Sequence, residues 1–262
     1  MNSSLELNYK TFGSGTPIII LHGLLGMLDN WQSFGKMLSK SHSIFLVDLR
    51  NHGSSPHAAQ MSYPAMSEDL VAFMDRHWLY DDVSIIGHSM GGKVAMQTAL
   101  SNPNRIRNLF VIDIAPKRYD PFHLPILAAL SKIRLNTVAS RREIESELMQ
   151  DLGDQNMVRF LVKNIARYES RFKWKMNFAA IQRDYGILLD QIDLQGRTAY
   201  AGCATFYQGS KSDHINAGDL PLIKQYFVNA DLKIVPEAGH WVHIDNPNFL
   251  AASILTRLLD SD

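Results

Sequence analysis

The sequence predicts an α/β fold, a mostly parallel sheet with helices on both faces and a helical cap inserted between two strands. Three observations carry this. Short, wholly apolar runs alternate with stretches of helical spacing as far as Pro116; a Gly-x-Ser-x-Gly turn joins one of those runs to a helix; and strand signal disappears between Lys117 and Gly196 before it returns.

Leu5, Leu7 and Tyr9 alternate with polar residues, so residues 5–12 read as an edge strand ending in the Gly13-Ser14-Gly15 turn. Pro17 to Leu21 is apolar throughout, as a parallel strand covered on both faces must be. A helix is expected from about Asn30 to Leu38, a second strand over Ser43–Asp48, and a helix over Ser62–Trp78 carrying Met66, Leu70, Phe73 and Met74 on one face. Val83 to Ile86 and Asn108 to Asp113 are further buried strands, with a helix from Met90 to about Leu100 between them. Residues 117–196 show helical periodicity with many aromatics and methionines. Strand signal resumes at Ala199–Tyr207 and Asp231–Pro236, and a helix over Pro247–Leu259 closes the chain. Residues 1–116 and 197–262 therefore form one core domain in two parts, with 117–196 as the cap. In such sheets ligands bind beyond the carboxyl ends of the strands.

Gly87-His88-Ser89-Met90-Gly91 stands at that edge. A serine on a sharp strand-to-helix turn must take a strained backbone, which is tolerated only where nothing crowds it. Gly87 and Gly91 remove the side chains that would collide, and Gly92 permits close packing of helix on sheet. The hydroxyl is then presented over a helix N-terminus, where negative charge is favoured. Ser89 is the candidate nucleophile.

Composition narrows the function. Twenty-six basic and 26 acidic residues in 262 leave no net charge, which excludes a basic nucleic-acid binder and an acidic tail. No apolar run is long enough to span a membrane, and no apolar stretch of a secretory signal stands near Met1. The one cysteine, Cys203, admits no internal disulfide, lies in an apolar run as an inert buried thiol, and fits a reducing compartment. The expected location is the cytoplasm.

A serine hydroxyl needs a general base. Among ten histidines, His240 follows the last strand in a Gly-His-Trp loop at the correct sheet edge, with His243 as rival; His22 and His88 are expected to orient loops. A tetrahedral intermediate needs preformed donors for its oxyanion. One is the N–H of Met90, directly after the nucleophile, and the other that of Leu24, in the His22-Gly23-Leu24-Leu25-Gly26 loop. The acid that orients the histidine has two candidates. Asp213 lies in the turn Gly209-Ser-Lys-Ser212-Asp213-His214, and Asp113 ends the strand after the elbow helix. Asp48 and Asp29 are read as turn or cap residues.

The segments His22-Gly-Leu-Leu-Gly-Met-Leu-Asp-Asn-Trp31, Asp48-Leu-Arg-Asn-His-Gly-Ser-Ser55, Gly87-His-Ser-Met-Gly-Gly-Lys93, Asp113-Ile-Ala-Pro116 and Gly239-His-Trp-Val-His243 resemble the α/β-hydrolase superfamily and, within it, the YbfF-type esterases. The resemblance implies a serine esterase or thioesterase, acting on small-molecule acyl esters, acyl-CoA thioesters among them, through a Ser-His-Asp triad and an acyl-enzyme, without metal or organic cofactor. Relatives with a Gly-x-x-Asp turn after the cap place their acid there, but this chain has Ser212 at that step and Asp213 one residue late. In extended chain one step reverses a side chain's direction. YbfF-type proteins carry the acid at the Asp-Ile-Ala-Pro position, which favours Asp113, with Ser212 as a hydrogen-bonding auxiliary. Competing readings are a lyase or carbon-carbon hydrolase of the same fold, such as the menaquinone-pathway type, and a non-catalytic ligand receptor.

In the cap, Arg159, Lys163, Arg167, Arg171 and Lys175 recur every four residues, opposite Leu161, Ile165, Tyr168 and Phe172. On one helix they would form a basic ridge, a solvated face or a seat for the phosphates of an acyl-CoA. The cap's Phe122, Met149, Met157, Phe160, Phe172, Trp174, Met176 and Phe178 read as an apolar channel or as the cap's own core.

Overall fold

A computed structural model describes residues 4–169, 171–194 and 196–260. The chain runs Tyr9–Phe12 (β1), Pro17–Leu21 (β2), Gln32–Leu38 (α1), Ser43–Val47 (β3), Tyr63–Arg76 (α2), Val83–His88 (β4), Met90–Ser101 (α3) and Ile106–Ile112 (β5). It then makes an excursion through Leu124–Lys132 (α4), Arg141–Leu152 (α5), Gln155–Val162 (α6), Ile165–Tyr168 (β6), Arg171–Trp174 (β7) and Phe178–Leu189 (α7). It returns as Cys203–Gly209 (β8), Leu220–Tyr226 (α8), Ala230–Val235 (β9), Val242–Asp245 (α9) and Pro247–Leu259 (α10).

Seven strands form one sheet in the order β1-β3-β2-β4-β5-β8-β9. Only β1 is antiparallel to its neighbour. Because strand side chains alternate, each apolar run feeds two cores. Ile19 and Leu21 of β2 join Met66, Leu70 and Val94 of α2 and α3 on one face, while Ile18 and Ile20 join Phe34, Leu38 and Ile254 of α1 and α10 on the other. Helix starts follow capping chemistry. Ser62 Oγ accepts from Ala65 N–H and Asn246 Oδ1 from Phe249 N–H, each with a proline in the first turn.

Several expectations are corrected. The edge strand begins at Tyr9, not Leu5, because the Leu5 N–H is donated to Asp69 Oδ1 (2.7 Å). The strand expected from Ala199 begins at Cys203. Tyr200 is held lower down, its hydroxyl on the Ile106 carbonyl (2.8 Å), and its ring fills the space where a Cβ on Gly202 would lie. Cys203 is half-buried rather than buried. The stretch expected as a helical cap, residues 117–196, is not wholly helical, since β6 and β7 form an antiparallel hairpin. The period there is two: Phe172 and Trp174 turn inward while Arg171 and Lys173 face solvent. Glu169, at φ 53°, begins the turn. The basic ridge consequently does not exist, because Arg159 lies on α6, Arg167 on β6 and Arg171 on β7. Among the described residues no helix is long and apolar enough to cross a membrane.

Candidate active site

Ser89 sits between β4 and α3 with φ 52° and ψ −119°, a conformation costing on the order of 1–3 kcal/mol. Its surroundings leave no room for relaxation. A Cβ on Gly87 would lie 2.4 Å from the Gly91 carbonyl oxygen, and one on Gly91 would lie 2.5 Å from that of His22. The Ser89 N–H is donated to the Ile112 carbonyl (3.0 Å), and its own carbonyl accepts from Lys93 N–H (3.1 Å).

Asp113 follows β5 directly, also at positive φ (54°), and is fully buried. Its Oδ1 accepts from the Gly209 N–H (3.1 Å), and its Oδ2 accepts from the Ser212 hydroxyl. The same Oδ2 lies 2.7 Å from His240 Nδ1. That contact assigns the Nδ1 proton to the carboxylate and leaves Nε2 as the acceptor. Burial raises the Asp113 carboxyl, and the bonds from Ser212 and Gly209 pull the other way. Burial, then the neighbouring His214 and His123, push His240 well below the ordinary histidine range, so the ring is neutral and able to accept a proton. The His240 loop is fixed by His88, whose Nε2–H is donated to the His240 carbonyl (2.8 Å), and by Asp245, which accepts the Gly239 N–H (2.8 Å).

The other candidates fall elsewhere. Asp213, one step past Ser212, is exposed. His243 is buried, stacked on Trp31 with ring centroids 3.7 Å apart, and among the described residues neither ring nitrogen has a partner. Asp48 is buried, accepting from Leu28 N–H (2.7 Å), Ser54 N–H (2.8 Å) and Asn8 Nδ2 (2.7 Å); Asp29 is exposed beside Lys10.

Gly23 to Gly26 form a tight turn closed by Gly26 N–H to the Gly23 carbonyl (3.0 Å), with Leu25 at φ 59°. The Leu25 N–H is donated to His52 Nε2 (3.2 Å), and the Leu25 carbonyl accepts from Asn164 of the excursion (2.7 Å). Among the described residues the Leu24 N–H has no acceptor. Met90 opens α3, so its N–H has no intrahelical carbonyl either. Gly23 lets this turn approach the elbow, since a Cβ there would meet His88 Nδ1 at 2.9 Å and Ser89 Cβ at 3.3 Å. His22 braces the turn, donating from Nδ1 to the Gly23 carbonyl (2.8 Å) and accepting at Nε2 from Leu49 N–H (3.0 Å).

Ser89 and His240 both open into a cavity of about 440 Å³, lined from the excursion by Phe122, Ile126, Met157 and Phe160. Phe172, Trp174, Met176 and Phe178 instead pack into the hydrophobic core, and Met149 is exposed. The expected apolar channel is thus divided between cavity wall and core.

Three contributors escape sequence reasoning. His214 stacks on His240 at 3.9 Å, with its Nδ1 3.8 Å from Asp113 Oδ2. The ligand atoms of Asp113, His214 and His240 lie within 4.8 Å of one another, close enough for a metal, yet the carboxylate is already occupied by Ser212 and His240. His52 supports the turn that carries Leu24, and its place in the Arg50-Asn-His-Gly run is the one sequence signal that marks it. Lys93, buried one turn beyond Ser89, donates to the carbonyls of Lys117 (2.8 Å), Leu189 (3.4 Å) and Asp190 (2.6 Å), bridging both roots of the excursion.

Comparison with known proteins gives a consistent picture. Residues 16–247 match the family model of the alpha/beta hydrolase fold. The sn-1-specific diacylglycerol lipase ABHD11 of Danio rerio is 34% identical over 98% of this chain and 83% of its own length. Esterase YbfF of Escherichia coli K12 is 32% identical, covering 94% of each chain. The solved structure of a marine microorganism esterase superposes with a TM-score of 0.93 at 40% identity, over 97% of this chain and 99% of that one.

Proposed function

The chain belongs to the α/β-hydrolase family, among its YbfF-type esterases, and from that premise we propose that it cleaves acyl esters or thioesters with Ser89 as nucleophile, His240 as general base and Asp113 as the orienting acid. The observation that carries this reading is the single oxygen, Asp113 Oδ2, that fixes His240 Nδ1 at 2.7 Å while the strained elbow presents Ser89 into the same cavity.

His240 Nε2 takes the hydroxyl proton as Ser89 Oγ attacks the acyl carbon, and the carbonyl electron pair moves to oxygen. The N–H groups of Leu24 and Met90 receive that oxyanion. As the intermediate collapses, His240 returns the proton to the departing alcohol or thiol, leaving Ser89 acylated. Water, deprotonated by His240, then attacks the acyl-enzyme, releasing the carboxylic acid and restoring Ser89. Asp113 keeps the imidazole in the productive tautomer and stabilises its cation. Ser212 holds the carboxylate, and residues 117–196 act as the cap that shields the reaction from bulk water.

The test is the Ser89→Ala variant. Wild type is expected to react with a fluorophosphonate and to turn over a nitrophenyl ester many times, and the variant to lose about a millionfold in kcat with its fold intact. Near-normal turnover by the variant would overturn the reading. Single-turnover labelling without sustained product release would instead favour a ligand receptor.

A further inference from the structure

Ser89 borders a second space. Beside the cavity of about 440 Å³ lies a chamber of about 40 Å³, and Leu24, Ser89, Phe122, His123 and His214 line both. His240 lines the large cavity and not the chamber, whereas Met90 lines the chamber and not the large cavity. This asymmetry orients a substrate, given the catalytic roles proposed above. The departing oxygen or sulfur must face His240 to receive its proton, so the leaving group extends into the large cavity. The acyl tail leaves the tetrahedral carbon on the other side, past Met90, into the chamber.

From this geometry we infer that the enzyme selects esters of short acids carrying large apolar alcohols. At ~10–15 Å³ for each water-sized group, the chamber holds about three, which corresponds to acyl groups no longer than about butyryl. Apart from Ser89, His123 and His214, which line both spaces, its polar side chains are engaged within the protein. The Tyr63 hydroxyl is donated to the Leu188 carbonyl (2.6 Å), that of Tyr119 to the His214 carbonyl (2.6 Å), and that of Tyr185 is bonded to His123 (2.9 Å). The Lys93 ammonium is held by three backbone carbonyls. The large cavity presents Ile126, Met157, Phe160, Trp241 and Ile244 to the leaving group, so apolar bulk is accepted there.

Two ester series measure this directly. In nitrophenyl esters of lengthening acids, kcat/KM is expected to hold from acetate to butyrate and fall by about tenfold or more at hexanoate, because methylenes beyond the chamber overpack it. In acetate esters of lengthening alcohols it is expected to hold or rise from methyl to octyl and 2-naphthyl. Leu188→Ala, which enlarges the chamber away from Ser89 and His240, is expected to move the break beyond hexanoate, read as the hexanoate-to-acetate ratio of kcat/KM within the variant. The wild-type series decides by itself if that variant does not fold. Active, fluorophosphonate-labelled enzyme with a flat or rising acyl series, or a folded Leu188→Ala with an unmoved break, overturns this inference alone. A protein that neither labels nor turns over any ester overturns the hydrolase reading beneath it as well.

Discussion

His240 Nδ1 meets Asp113 Oδ2 at 2.7 Å across 127 residues of chain, and the Ser212 hydroxyl shares that oxygen. The meeting follows from strand order. β5, β8 and β9 are consecutive parallel neighbours, so the residues after their carboxyl ends share one edge: Asp113 after β5, Ser212 after β8 and His240 after β9. Asp113→Asn is expected to lower kcat by about ten-thousandfold through the wrong imidazole tautomer. Asp213→Asn, on an exposed carboxylate, is expected to stay near wild type. Steady-state kinetics of the two variants check the assignment, and the opposite ranking would transfer the acid to Asp213.

The two histidines of the last loop separate in the same way. His240→Ala is expected to lose nearly as much kcat as Ser89→Ala, since base and nucleophile act as one unit. His243→Ala removes a buried ring stacked on Trp31, so it is expected to cost about 2–3 kcal/mol in denaturant melts and to retain most of kcat. A His243 variant that folds normally but does not turn over would move the base.

The pH profile follows from the direction in which burial moves His240. A base held well below the ordinary value of 6.5 must meet stronger acid before it is protonated, so kcat/KM is expected to stay level as pH falls through 6.5, with its acid limb below that point. Removing His214, the second contributor to that depression, is expected to raise the limb. Rates on a nitrophenyl ester measured from about pH 4 to pH 8 in wild type and His214→Asn test both statements.

His22, His52 and His88, also buried, make stability acid-sensitive. Burial holds His22 at about 4 and His52 and His88 at about 3, against 6.5 when exposed. Between those values the unfolded chain binds more protons than the folded one, so stability is full above pH 6.5 and is lost as pH falls toward 3 to 4. Melting temperature is expected to drop steadily over that interval. A constant value down to pH 4 would contradict it.

Lys93 ties both roots of the excursion to α3. Lys93→Met fills a similar volume but leaves the Lys117 and Asp190 carbonyls without this donor, while Leu189 keeps the Tyr119 N–H, so a loss of about 2–4 kcal/mol is expected in thermal or urea melts. Proteolysis is expected to cut residues 117–196 first, and unchanged stability would remove Lys93 from this role.

Local periodicity and turn chemistry were enough to read the parallel sheet, the elbow at Ser89 and the closing helix Pro247–Leu259 from the sequence, because an apolar run, a glycine-framed turn and an amphipathic stripe are each written in adjacent residues. The hairpin Ile165–Trp174 is hidden for the same local reason: Arg159, Lys163, Arg167, Arg171 and Lys175 recur every four positions while the inward Phe172 and Trp174 recur every two, and the tertiary contacts choose the shorter period. The identity of His240's neighbour was not written locally at all. Asp113 and Asp213 have comparable positions in the sequence, and only the placement of β5 against β8, with Asp213 one step past the inward Ser212, brings one of them to the ring. His214, His52 and Lys93 belong to the same category. Each acts through partners on other elements, and a contact between distant segments exists only once the sheet order has set which strand ends share an edge.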